Sequence, residues 1–169
     1  MNERAIRITH TILFILLFII GIVCVGVSGY LVGDYNKHGY PKIHRAAFRD
    51  RLRITLTASI WTVVWTLILG IGFQVAGHKP TFGILVHLIP IAIGFILFII
   101  GAGSLTGLLQ GIDCGKVGAD VPRCDLNKSA MGVAWAETIV LFVTLIFIIA
   151  IAFKARAWGG VHRNSLYVD

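Results

Sequence analysis

Four long, uninterrupted apolar blocks constrain this chain more than any other feature. They run over 12–32, 54–75, 82–109 and 130–153, and none contains Lys, Arg or Asp. A helix needs roughly 20 apolar residues to cross about 30 Å of hydrocarbon, and charged side chains are costly at the bilayer centre. Each block is long enough. A transmembrane β-barrel would show alternation over about ten residues, and these runs are continuous. The expected fold is an all-α, integral-membrane antiparallel four-helix bundle, one domain over residues 1–169. Composition agrees: 57% of the residues are apolar and 14% charged, against about 45–50% and about 25% in soluble domains. The first block exceeds the 7–15 apolar residues of a signal peptide, so it is read as a retained span.

Between the spans lie three connections. The first, about 33–53, is polar and charged, with Asp34, Lys37, Lys42, Arg45, Arg49, Asp50, Arg51 and Arg53. The second is a tight Gly- and Pro-containing turn at Ala76–Thr81 that makes the second and third helices antiparallel neighbours. The third, about 110–128, carries Cys114 and Cys124.

Orientation draws two opposed arguments. With both termini inside, six basic residues face the cytoplasm and nine of the fifteen face out, against the positive-inside rule. Cys114 and Cys124, however, bracket a stretch holding Gly115, Gly118 and Pro122 that can fold back to join them. A disulfide persists on the oxidising side of a membrane, which puts this connection outside and both termini in the cytoplasm. Two free thiols in a cytoplasmic loop are the alternative. Cys24 is read as a small hydrophobe within the first span. The sequon Asn127-Lys128-Ser129 lies at the membrane boundary and is treated as chance.

Glu137 is the one acidic residue inside a span. An intramembrane carboxyl is a functional candidate that needs a partner. It lies about eight residues, or about 12 Å, into the fourth helix. At the same depth on the second helix is Thr62, within a face formed by Thr55, Ser59, Thr62 and Thr66. Glu137 is expected to face the bundle and hydrogen-bond near Ser59 and Thr62, as a neutral carboxyl tying helices together. The alternative is a proton or cation relay. The third span holds His87, read as a half-wet histidine without a His or Cys at matching depth. Pro90 follows and is expected to kink that helix.

Small residues recur at helical spacing: Gly29 and Gly33; Gly103, Gly107 and Gly111; Ala130, Ala134 and Thr138. Such stripes let membrane helices approach closely, and all three are expected to pack in one leaflet. Trp61, Trp65 and Trp135 are too deep for an interfacial belt, whereas Trp158 fits one. No GxSxG, HExxH or phosphate loop is present. No catalytic residue, cofactor, metal site or nucleic-acid partner is therefore expected.

The layout resembles MARVEL-domain proteins, particularly small fungal ones. The residues that carry the resemblance are Arg7-Ile8, Tyr30-Leu31, Arg53-Ile54 through Ser59-Ile60-Trp61-Thr62, and Cys124 followed by Ser129 to Glu137. The resemblance implies cytoplasmic termini in the plasma membrane or a vesicle membrane. It also implies a non-catalytic organiser of lipid microdomains, a trafficking protein or an accessory subunit. The partners expected of the chain are membrane lipids, with sterol and sphingolipid as candidates, and a homo-oligomer or larger membrane complex. A small oligomeric transporter or proton-coupled channel built on Glu137 is the second expectation.

Overall fold

A computed structural model describes residues 3–42, 44–76, 84–117 and 120–156. The second connection, Trp158 and the C-terminal tail lie outside the described residues. The chain forms α1 (Glu3–His38), α2 (Arg45–Ala76), α3 (Ile84–Leu109), the short α4 (Cys114–Val117) and α5 (Cys124–Arg156). Among the described residues α1, α2, α3 and α5 are long and apolar enough to cross a membrane. The chain is thus an all-α four-helix bundle of the multi-pass membrane type.

The long helices pack as a ring, α1 on α2, α2 on α3, α3 on α5 and α5 on α1. Successive helices run antiparallel. Ile6 of α1 and Ile151 of α5 share a core with Phe73 and Ile84 at one end. Leu31, Leu52, Leu105 and Ala130 meet toward the other.

The helices outrun the apolar blocks. At 1.5 Å per residue the 36 residues of α1 span about 54 Å, well beyond the hydrocarbon thickness. Most of the expected first loop is consequently helical. Asp34 and Lys37 ride on the end of α1, and Arg45, Arg49, Asp50, Arg51 and Arg53 on the start of α2. Its polar sequence is that of a water-exposed helix extension rather than of a loop. Gly39 (φ 94°) and Gly111 (φ 81°) follow the last turns of α1 and α3 in the left-handed conformation. A glycine adopts that conformation without Cβ strain, and it ends a helix. The Gly39 amide closes the end of α1 on the Tyr35 carbonyl at 2.9 Å. α3 runs through Pro90 as continuous helix.

One periodicity organises the interior. In α1 the buried residues from His10 onward are His10, Phe14, Leu17, Gly21, Cys24, Ser28, Leu31 and Tyr35, at alternating spacings of four and three. The same alternation holds in α2 from Phe48 to Phe73, in α3 from Ile84 to Leu108 and in α5 from Asn127 to Ile151. A mean period of 3.5 keeps one seam of each helix against its neighbours, as in left-handed coiled packing. Small and polar residues occupy much of that seam, while Ile12, Ile19, Ile60, Ile71, Ile96 and Phe142 face outward. Lipid tails are as apolar as a leucine core, so this inversion costs little in a bilayer. Close approach of backbones then drives packing.

Candidate functional site

Glu137 is the residue around which the middle of the bundle is built. Its position on the α5 seam buries it completely. Oε1 lies 3.5 Å from where a Cβ on Gly21 would stand. Cys24, one turn along α1, is wholly buried beside Ser59. Thr62 faces Gly94 of α3, whose added Cβ would come within 3.3 Å of Thr62 Oγ1. Four helices therefore meet in one polar layer: Gly21 and Cys24, Ser59 and Thr62, Gly94, and Glu137.

The expected inward orientation of Glu137 is what the helix geometry gives; the expected hydrogen bond is not. Buried hydroxyls here turn back onto their own helices. Thr55 donates to the Arg51 carbonyl (2.9 Å), Ser59 to Thr55 (2.7 Å) and Thr66 to Thr62 (2.8 Å). Ser28, Thr138 and Thr144 do likewise. Each satisfies its donor on the carbonyl four residues earlier, the local competition that Ser and Thr offer in helices. Among the described residues, the two Glu137 oxygens and Thr62 Oγ1 have no hydrogen-bond partner. The hydroxyl face at Thr55, Ser59, Thr62 and Thr66 is real and buried, but it is not an interhelical ladder.

Fully buried leucines flank this region: Leu17 and Leu69 toward the start of α1, and Leu31, Leu52 and Leu105 toward the cystine. Ser59 and Cys24 are equally sealed.

A second polar group sits at the end of the bundle where α1 begins and α2 ends. His10, which precedes the first apolar block, is the eighth residue of α1 and is buried. It stacks on Phe14 (4.1 Å between centroids) and Phe73 (4.0 Å), and meets His87 edge-on at 5.4 Å. His87 is fully buried rather than half-wet, and it does have a histidine at matching depth. Extending the seam backward from Leu17 and Phe14 finds His10, which lies two residues before the first apolar block and so outside every expected span. Among the described residues no three His, Cys, Asp or Glu side chains come together.

At the opposite end the Cys114–Cys124 disulfide closes the third connection, with Cα atoms 5.5 Å apart. A clasp not anticipated from sequence holds the chain beside it. The Tyr35 hydroxyl donates to the Pro122 carbonyl. Asn127 Nδ2 donates to the Tyr35 oxygen at 2.6 Å and to the Arg123 carbonyl at 3.0 Å. These bonds fix Arg123 at φ 59°, a conformation that non-glycine residues keep only when their surroundings over-determine it. Asn127 is wholly buried and its amide is engaged. That removes the sequon as an acceptor in the folded chain.

The glycine stripes require correction. A Cβ on Gly33, Gly103, Gly107 or Gly111 would meet nothing within 4 Å, and one on Gly29 would meet only Leu56 Cδ1 at 3.8 Å. These residues point out of the bundle, and Gly111 serves as the α3 cap. The close approaches are made elsewhere, at Gly21 (Val63 Cγ2, 2.9 Å), Gly94 and Gly101 (Thr55 Oγ1, 3.0 Å; Thr55 Cα, 3.5 Å). Four-residue spacing alone does not say which side of a helix meets its neighbour, whereas the 3.5-residue seam does. Ala130 and Ala134, which lie on that seam, are fully buried as expected.

Trp61 Nε1 donates to the Pro90 carbonyl at 3.1 Å, tying α2 to α3. Trp135 Nε1 donates to Thr106 Oγ1 at 2.8 Å, tying α5 to α3. Trp61 also packs against Trp65. Comparison with family models, with curated proteins and with solved structures finds no significant match for this chain.

Proposed function

We propose that the chain is a non-catalytic membrane protein that organises its bilayer surroundings or accompanies a larger membrane protein. In this reading it lies in the plasma membrane with both termini in the cytoplasm. One observation carries the proposal. Glu137, the one acidic residue within the four apolar blocks, is wholly buried and lies between fully buried leucines, so among the described residues the carboxyl has no exposed face. A relay needs a succession of accessible groups, and here the Ser59 and Thr66 hydroxyls are occupied by their own backbones while Thr62 is buried.

The outer surface supports the same reading. Gly33, Gly103 and Gly107 present open space, and small residues on a lipid-facing helix are what close approach by another membrane helix requires. The disulfide favours a connection on the oxidising side, and hence cytoplasmic termini. The MARVEL-type layout that the sequence resembles belongs to this proposal and draws its support from the residue pattern alone.

Crosslinking in native membranes, followed by purification in mild detergent, tests the proposal. A stoichiometric membrane-protein partner is the expected result. Purified chain in liposomes that moves protons or a solute, and loses that activity in Glu137→Gln, would overturn it in favour of a small transporter.

A further inference from the structure

We propose that the crevice between α1 and α5, beside the disulfide, binds the head of a zwitterionic phospholipid. The crevice encloses about 880 Å³. Its inner wall is Val23, Gly26 and Val27 on one face of α1, and its mouth carries Tyr30, Arg123 and Asp125. From Tyr30 to Val23 is seven residues, about 10 Å along the helix axis. One side is therefore apolar at hydrocarbon depth, and the mouth is charged where the span ends.

The charges select the head group. Arg123 Nε engages Asp34 Oδ2 at 3.4 Å, and its guanidinium lies 5.6 Å from the Tyr30 ring centroid. A guanidinium has five N–H donors, so one long contact to Asp34 leaves donors for a phosphate. Asp125 is exposed at the same mouth. Arg123 and Asp125 are the charged residues of the lining, and Asp34 already engages Arg123, so the mouth offers a phosphate its contact on Arg123 and sets beside it a carboxylate that calls for a positive charge on the same ligand. A phosphate bearing a choline or ethanolamine meets that condition, and an anionic head does not. The clasp from Tyr35 and Asn127 holds the Arg123 backbone in place before any lipid arrives.

This inference stands apart from the proposed function, because it needs neither a protein partner nor a defined orientation. The test is native mass spectrometry of the purified full-length chain, exchanged into mixed micelles of phosphatidylcholine and phosphatidylglycerol. Wild type is expected to retain one phosphatidylcholine per chain, preferred about tenfold over phosphatidylglycerol, the scale of a charge-assisted contact. A Cβ on Gly26 meets nothing within 4 Å, so Gly26→Leu extends from the lining into the crevice and is expected to lose the retained lipid. Asp125→Asn is expected to erase the preference while keeping the thermal midpoint. Equal retention of both lipids by wild type, no retained lipid, or unchanged retention in a folded Gly26→Leu variant would each overturn the assignment.

Discussion

Replacing Gly101 and Gly107 in turn with alanine distinguishes two descriptions of how α3 packs. Both sit within α3, six residues apart, and in an exposed helix each exchange should gain about 0.5–1 kcal/mol by restricting the unfolded backbone. At Gly107 nothing lies within 4 Å of the new Cβ, so that gain should appear in full. At Gly101 the Cβ would stand 3.0 Å from Thr55 Oγ1 and 3.5 Å from Thr55 Cα. Thr55 cannot turn aside freely, because its hydroxyl is bonded to the Arg51 carbonyl at 2.9 Å. Breaking that bond costs about 1 kcal/mol. Forcing α2 and α3 apart costs about 1–3 kcal/mol. The net expectation for Gly101→Ala is a loss of about 1–3 kcal/mol after the backbone gain is subtracted. Unfolding in mixed micelles by SDS titration, under conditions where the chain is monomeric, reads both values. Equal losses at the two positions, or a larger loss at Gly107, would refute the seam described for α3 and restore the outward glycines as internal contacts.

Reducing the disulfide, or replacing Cys114 and Cys124 with Ser, should lower stability by about 3 kcal/mol, from a sequence separation of 10 in the closed loop. Thermal unfolding with and without reductant measures this. Tyr35→Phe removes the hydroxyl that joins Pro122 to Asn127. It should cost about 1–3 kcal/mol by leaving buried groups unmatched, and hydrogen exchange over 120–127 should quicken while α3 is unaffected. Glu137→Gln keeps the shape of a side chain that has no hydrogen-bond partner among the described residues. Its stability should stay within about 1 kcal/mol of wild type by micelle unfolding, and a loss above that would reveal a contact the carboxyl alone provides.

The number of spans, the all-α class and the ends of the apolar blocks were legible in sequence, because a bilayer rewards continuous hydrophobicity so strongly that little else matters. Glu137, the Thr55–Thr66 face and the pairing of Cys114 with Cys124 were legible too. Each is a polar or reactive residue set against a uniform background. Tertiary structure alone decided which side of each helix is inside. In water the apolar stripe announces the core, but a membrane helix is apolar all round, and its core is marked by a 3.5-residue recurrence in which small and polar residues mix with large apolar ones. Hence Gly21, Gly94 and Gly101 lie at contacts while Gly33, Gly103 and Gly107 look outward, and His10 joins His87 from outside the first apolar block. The clasp of Tyr35 on Pro122 and Asn127 joins residues about ninety positions apart, and no local pattern encodes it. Contacts of that kind exist only once antiparallel helices have brought the end of α1 to the start of α5.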